Sequence, residues 1–576
     1  MITSFCSKLS RAALLSCLLL SGLGLSLHAQ NNDSTDTAPG GNPTPAPVSI
    51  TAPIKLPPID PAATSLLTNG DFETPSVEDS SFPEGWGKAD GITWEVAGDK
   101  HFLRLVQKEP GKMVMAYREV VIPADAKALE VTIRYRTADI KTGTNNWFDA
   151  RTIFHFLDVQ RQQLKGDPGA MIFSKKAGSW STVTSKFVVP EGATTLQMMP
   201  ALFQVAAGTL DLSEIRITAL TASEADTMNA AAAAAAQKKA DEAATITKDL
   251  TLPAITPEIK VSGNKLVTAD GKEVWLQGLN VCSLEWTSTG NNVLWSMEVA
   301  INDWKANCIR LPVNNDYWFG RGKDQVPGEA SQTAYRELVD KAVKLAAAKG
   351  AYLVLDLHRF QAPDAGTLAF WKDAAARYKN NPAVLFDIFN EPFGTTWEVW
   401  RNGGEVKKEG KDAGTFQSVG MQAVVDAVRS TGAYNIIIAG GLDWAYDDSG
   451  ILNGFALEDK TGYGIMYSVH VYNWKTDWQG KFMALADKYP LFLGECGADE
   501  KKMGFIPLAA QEDPYTWVPD LLGLVQKHHL NWTGWSFHTS ATPNMLADWN
   551  YTPTAYWGAF AKEALHGKPY EMKKMR

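Results

Sequence analysis

Between residues 65 and 220 apolar and polar positions alternate in short runs: "ALEVTIRYRTA" (128–138), "RTIFHFLDV" (151–159), "STVTSKFVV" (181–189) and "LDLSEIRITAL" (210–220). A period of two sends successive side chains to opposite faces, so each run predicts a strand with one buried face. Turns rich in Gly, Pro and Asp separate the runs and no helical period intervenes. Residues 65–220 are therefore expected to form an antiparallel β-sandwich. The pattern then changes. Residues 221–254, with "ADTMNAAAAAAAQKKADEAAT", are almost all strong helix formers without an apolar stripe, which predicts an exposed, semi-rigid helical linker.

From 255 to 576 the period alternates between two kinds of run. Candidate strands are "WLQGLNV" (275–281), "NCIRLPV" (307–313), "AYLVLDLH" (351–358), "AVLFDIFNE" (383–391), "NIIIAGG" (435–441), "IMYSVHVY" (465–472), "LFLGECG" (491–497) and "WTGWSFH" (532–538). Helical patterns fall between them at 335–350, 367–380, 415–432 and 518–529, and a last one at 554–565 closes the chain. Strands that are apolar on both faces imply a parallel sheet covered by helices. Eight such units in this length predict an α/β (β/α)8 TIM barrel. A doubly wound open sheet is the alternative, but no glycine-rich phosphate loop follows the first strand. The chain is thus expected to be multidomain, a β-sandwich followed by a barrel.

Its beginning has other work. Lys8 and Arg11 precede an apolar run (12–27), and Leu27-His28-Ala29 makes a cleavage site, so residues 1–29 are read as a signal peptide. Residues 30–64, rich in Asn, Thr, Pro and Ala, are read as a disordered linker. Export to the periplasm, cell surface or medium follows, with no membrane span after cleavage. Loss of the signal leaves Cys282, Cys308 and Cys496, too few and too dispersed for a disulfide framework or metal site, so buried free thiols are expected. A net charge of −9 without a long basic block argues against nucleic acid or anionic membrane as partner. Twenty Trp and sixteen Tyr suit a carbohydrate partner, because aromatic faces stack on sugar rings. A monomer is expected.

In a barrel the chemistry gathers at the C-terminal ends of the strands. Those ends carry Arg310, His358, Asn390, Glu391, His470, Tyr472, Glu495 and Trp535. Packing does not explain so many polar groups converging on one mouth, because buried charge without a partner is costly. Two glutamates on different strands suit glycoside hydrolysis, which requires a carboxyl pair in opposite protonation states. Arg310 and Tyr472 can hold one carboxylate ionised, while apolar walls and an ionised neighbour keep the proton on the other.

The ordered strand ends "IRLP", "DLH", "NEP", "HVY", "GECG" and "GWSFH" resemble glycoside hydrolase family 5, the cellulase family of clan A, over residues 258–566. The resemblance implies a retaining enzyme without cofactor or metal, acting on β-linked polysaccharide, with endo-β-1,4-glucanase as the leading activity. It implies Glu391 as acid/base and Glu495 as nucleophile. It also implies that Asn390 binds the sugar 2-hydroxyl, that Arg310 and Tyr472 contact the nucleophile, that His358 and His470 line the subsite, and that Trp535 lies beneath the reacting ring. Mannan, xyloglucan or β-1,3-glucan are alternative polymers, and a non-catalytic carbohydrate-binding protein is the alternative of another class. Trp286, Trp318, Trp397, Trp444, Trp474 and Trp549 are candidates for further subsites. Cys496 follows the nucleophile and is expected to face the barrel wall.

The sandwich opens with "NGDFETPSVEDSSFPEGWG" (69–87), similar to the start of jelly-roll carbohydrate-binding modules. The resemblance implies a sugar-binding module, with Trp94, Trp147 and Trp180 as stacking candidates and Asp71 and Glu73 as candidate calcium ligands.

Overall fold

The computed structural model describes residues 65–144, 148–175, 178–409, 414–501, 503, 506 and 510–576. The expected signal peptide, the linker 30–64 and Trp147 lie outside the described residues. The chain separates into two compact units, Met1–Asp226 and Thr227–Arg576.

Two antiparallel sheets make up the first unit. One runs in the order Ile92–Ala97, Lys100–Val106, Ala207–Leu220, Ala128–Lys141, Ser181–Val188. In the other, Thr195–Leu202 lies between Val114–Met115 and Ala150–Leu157, Met171–Ile172 borders the latter, and Arg118–Val121 also pairs with Thr195–Leu202. Leu129, Val131 and Ile133 on one sheet and Phe154, Phe156, Leu196 and Met198 on the other are buried in a common core, as the alternation predicts. The opening motif is a fold device. Asn69 adopts φ +50° and its amide binds the carbonyls of Thr74 and Glu84, while its own carbonyl accepts the Trp86 indole at 3.1 Å. Phe72 packs 5.0 Å from Trp86.

An α-helix spans Ala222–Asp249. Residues 231–240 are exposed, but the last turns are tied to the second unit: Ile246 enters the barrel's core, and Asp249 lies 2.8 Å from Lys349. A lone Ile and a buried acid give no periodic signal, so this attachment is invisible to pattern.

The second unit is a closed barrel of eight parallel strands: β1 (Gln277–Asn280), β2 (Cys308–Val313), β3 (Tyr352–Leu357), β4 (Val384–Asp387), β5 (Ile437–Gly440), β6 (Ile465–Tyr472), β7 (Leu491–Gly497) and β8 (Asn531–Gly534). β8 pairs with β1 and removes the sheet edges. Helices at Glu329–Ala348, Ala365–Tyr378, Met421–Ser430, Pro514–His528 and Gly558–Leu565 match the predicted ones. One boundary differs. The helix read from 415 starts at Met421, because Thr415–Ser418 pairs as a strand with Gly404–Lys407. Gly420 divides them with φ +76°, and a Cβ there would fall 2.3 Å from the nitrogen of Gly403. Among the described residues, no helix is long and apolar enough to cross a membrane. Among the described residues, Cys282, Cys308 and Cys496 are free and buried, as expected.

Two predicted strands run four residues past the observed ones. β4 stops at Asp387, because Ile388 and Phe389 are both buried in the helix-side core and alternation ends there. Asn390 and Glu391 thus stand on the following loop, where Glu391–Pro392 pairs with Phe360–Gln361. Trp535 likewise lies just beyond β8.

Candidate active site

Alternation along the strands builds the site in layers. Cys308, Val354, Leu385, Ile438, Met466 and Phe492 fill the lower interior of the barrel. Two residues further along, on the same face of their strands, stand Arg310, Asp356, Asp387 and Ser468. His358 and His470 come next, and Tyr472 follows. An apolar floor therefore carries a polar layer on the same inward face, and Arg310 belongs to the middle of β2 rather than its tip.

β7 breaks this rule where it matters. Val469 pairs with Leu493, but His470 pairs with Glu495, so Gly494 is the extra residue of a β-bulge. Uninterrupted alternation from Phe492 would turn Cys496 inward and Glu495 out. The bulge reverses them. Cys496 lies in the helix-side core with its thiol 3.7 Å from the Thr533 carbonyl, and burial pushes that thiol up. The expectation for Cys496 holds, by a route alternation does not supply. Gly494 can take this place because a Cβ there would fall 2.5 Å from Ser468 Oγ and 3.2 Å from His470 Nε2.

Arg310 is the hub, fully buried. Its Nη1 donates to Glu495 Oε1 at 3.0 Å and to Asn280 Oδ1 at 3.1 Å; Nη2 donates to Asn390 Oδ1 at 2.7 Å; Nε donates to Asp387 Oδ2 at 2.9 Å. Asp356 Oδ1 lies 3.1 Å from Nη2. One guanidinium thus faces three carboxyl groups. Burial pushes Asp356 up to about 7 and Asp387 up to about 8, against the pull of Arg310. His358 Nδ1 lies 2.7 Å from Asp356 Oδ2, its Nε2 lies 3.6 Å from Glu285 Oε2, and its ring stacks on Trp535 at 5.5 Å. Burial lowers His358 and raises Glu285.

Glu391, His470 and Glu495 each bring an oxygen or nitrogen within 4.8 Å of the others'. His470 Nδ1 is 2.9 Å from Glu391 Oε1 and 3.6 Å from Glu495 Oε2, and the Tyr472 hydroxyl donates to Glu495 Oε2 at 2.5 Å. Burial, with Glu495 adding to it, holds Glu391 well above the ordinary carboxylate range. Burial, then the charge of Arg310, keeps His470 well below its usual value and hence neutral. Burial and the two glutamates keep Tyr472 a phenol. The Glu391–His470–Glu495 trio is also geometrically able to hold a metal ion, but Arg310 and Tyr472 already occupy both oxygens of Glu495.

All eight predicted site residues therefore gather in one place. Glu285, His358, Phe360, Glu391, Trp444, Tyr472, Trp474, Lys475, Glu495 and Trp535 are among the residues lining a cleft of about 800 Å³. Of the six further Trp candidates, Trp444 and Trp474 line this cleft. Trp444 stacks on Phe393 at 4.4 Å and Trp474 on Tyr472 at 4.9 Å. Trp318 is a correction: it is fully buried against Phe370 and bonds Asp373, so it is core. Trp397 packs on Trp400 and Phe455, and Trp286 and Trp549 flank His538 edge-on. The sequence reading missed Asn280, Glu285, Asp356, Asp387 and Thr533. Asp356 and Asp387 did leave a signal, each being a lone acid inside an apolar strand run.

On the sandwich, Glu73 is engaged by His101, with Oε2 at 2.7 Å from Nδ1 and Oε1 accepting from the backbone at 3.0 Å. Among the described residues no His, Cys, Asp or Glu trio forms at Asp71 and Glu73; the trio of that kind is the barrel's.

A closed parallel barrel with a carboxyl pair over its C-terminal mouth defines a glycosyl hydrolase. Residues 267–541 match the family model of cellulase, glycosyl hydrolase family 5. The barrel belongs to that family, and the protein is a retaining O-glycosyl hydrolase. The chain is 23% identical over 344 residues to a cellulase from a Thermoanaerobacterium species, covering 54% of this chain and 82% of that one. It is 28% identical over 250 residues to an endoglucanase from Butyrivibrio fibrisolvens, covering 42% of this chain and 52% of that protein. A solved β-glucanase from Saccharophagus degradans aligns with 55% of this chain and 95% of its own at 25% identity, with a TM-score of 0.44.

Proposed function

We propose that the protein is an exported, monomeric endo-β-1,4-glucanase working by double displacement, with Glu495 as nucleophile and Glu391 as acid/base. The observation that carries this reading is the approach of a Glu391 oxygen to a Glu495 oxygen within 4.8 Å. Retaining pairs stand roughly 5–5.5 Å apart, whereas inverting pairs leave roughly 6.5–9.5 Å for a water.

In the first step a Glu495 oxygen attacks the anomeric carbon as the bond to the leaving oxygen breaks. That oxygen keeps the electron pair and takes the proton of Glu391. In the second, Glu391 as carboxylate removes a proton from water, whose oxygen displaces Glu495 from the anomeric carbon. Arg310 and the Tyr472 phenol orient Glu495. Glu391, raised by burial and by Glu495, holds its proton above the ordinary carboxylate range. Asn390, whose side-chain nitrogen is buried without a partner among the described residues, is free to donate to the sugar 2-hydroxyl. Trp535, backed by His358, underlies the reacting ring, and Trp444 on Phe393 extends the platform.

The matched relatives are named cellulase and endoglucanase, which favours β-1,4-glucan over mannan, xyloglucan or β-1,3-glucan. The sandwich then serves to hold polymer. Reducing-sugar release from carboxymethylcellulose, glucomannan, galactomannan, xyloglucan and laminarin tests the polymer, with carboxymethylcellulose cut fastest and its viscosity falling early. Release from another polymer with none from cellulose overturns the substrate; release from none overturns the enzyme.

A further inference from the structure

The sandwich carries a second, smaller built cavity of about 410 Å³, whose lining includes Glu73, His101, Phe102, Arg134, Trp180 and Ser213. Phe102 is its first anomaly. Leu103 and Leu105 of the same strand face the core, so Phe102 stands on the outer face of its sheet, yet it is only 3% exposed. A small layer of its own covers it. Trp180 meets it edge-on at 5.7 Å, and the guanidinium groups of Arg104 and Arg136 lie 5.1 and 5.6 Å from its ring. Asp211, 2% exposed, fixes both arginines through contacts of 2.7 Å to Arg104 and 2.5 Å to Arg136. The Arg136 guanidinium also sits 4.7 Å from the Trp180 ring centre. A half-buried indole is thereby held rigid on the outside of a sheet, where the core gains nothing from it.

Polar groups with no partner face the same cavity. Among the described residues Ser213 Oγ is buried without a hydrogen bond, and Arg134 forms no ion pair or hydrogen bond and only flanks Trp180, at 6.0 Å. His101 is fixed by Glu73 and stacks on Trp94 at 4.4 Å. The charged lining nearly balances, Lys100 and Arg134 against Asp71, Glu73 and Glu214, the last two already paired with His101 and Arg216. An aromatic plane beside fixed planar donors and acceptors, with little net charge, suits a ring carrying hydroxyl groups around an apolar face.

We propose that this cavity binds a neutral saccharide chain, with Trp180 stacking on a sugar ring and Arg134 and Ser213 bonding its hydroxyls. It deepens the reading of the sandwich as a polymer-holding module. A rigid indole needs little ordering on binding, which is why its support by Asp211 matters.

The test uses the full chain in native gels containing hydroxyethylcellulose, glucomannan or polygalacturonate. Trp180→Ala and Arg134→Ala should each weaken retardation by neutral polymer about five- to tenfold, the range one stacking or hydrogen-bonding contact supplies. Hydrolysis of a short aryl cellobioside should not change. Trp180→Phe, which keeps a ring over Phe102, should retain part of the retardation and guards against misfolding of the alanine variant. Retardation of both alanine variants equal to the parent protein's overturns the site, and retardation in polygalacturonate alone overturns the neutral ligand. Should no polymer be cut while Trp180→Ala still loses retardation, the cavity stands and the hydrolase reading falls.

Discussion

The side-chain amide of Asn280 on β1 donates to the carbonyl of Gly494 on β7 at 2.9 Å, across the inside of the barrel. Thr533 Oγ1 donates to the same carbonyl at 2.6 Å. This is the carbonyl of the bulge residue, turned where no ladder partner reaches it, and two inward side chains satisfy it. Without them a buried carbonyl would go unpaired, at a cost of about 1–3 kcal/mol. The pair holds the register that turns Glu495 inward.

Thr533→Val keeps shape and removes one donor. The turnover number should fall about two- to tenfold while KM stays within about twofold, since one neutral hydrogen bond contributes about 0.5–1.5 kcal/mol. Thr533→Ser should recover most of the rate. Steady-state kinetics on a soluble oligosaccharide checks this, and an unchanged rate in Thr533→Val removes the threonine from the positioning of Glu495.

Azide separates the two glutamates. Glu495→Gly should lose at least about 10⁴-fold in turnover, within the scale on which loss of a nucleophile acts, and added azide should restore an α-glycosyl azide. Glu391→Ala should still form the glycosyl-enzyme from an activated aryl glycoside and yield the β-azide. Product NMR reads the anomer, and exchanged products would exchange the roles.

The basic limb of kcat/KM should follow Glu391. Burial raises this carboxyl, so its proton is held through the ordinary carboxylate range and activity falls only as pH rises through the raised value. His470→Asn admits water beside Oε1 and lessens that burial. The basic limb should then move to lower pH while the acid limb moves less, as read from pH–rate profiles.

Stability should decline toward alkaline pH for a separate reason. Asp387 is raised to about 8 by burial, so the folded state binds a proton that an unfolded Asp releases near about 4. Stability from that proton is complete below about 4 and is lost as pH rises through about 8. Asp387→Asn can still accept from Arg310 and carries no such proton. Its stability relative to the parent protein should rise between pH 5 and pH 8 by at least about 1.4 kcal/mol, one pKa unit. Urea denaturation at both pH values measures it.

Two tryptophans from the same sequence reading should behave oppositely. Trp444, 44% exposed in the cleft, should cost about two- to tenfold in kcat/KM on long substrates when replaced by alanine, with little change in melting temperature. Trp318, fully buried, should cost about 3–5 kcal/mol of stability on the same change.

Much of this protein was legible before any coordinates. Apolar runs on both faces announced a parallel barrel, alternation announced the sandwich, and the polar strand ends picked out Arg310, His358, Asn390, Glu391, His470, Tyr472, Glu495 and Trp535. Helix 421–430 was read too long, because a Phe and a Gln in a short hairpin satisfy a helical period as readily as a strand. Asp356 and Asp387 went unread as site residues because a lone acid in a strand has meaning only once a partner such as Arg310 is known.

Local chain chemistry determined which segments are strands, which are helices and which side chains carry charge into the interior, since those depend on residues a few positions apart. The tertiary structure alone decided that Glu391 and Glu495, 104 positions apart in the sequence, share one gap, that a bulge at Gly494 turns Glu495 in and Cys496 out, and that Trp444 meets solvent while Trp318 does not. Such outcomes follow from strand closure, register and packing between distant segments, where no periodicity along the chain records them.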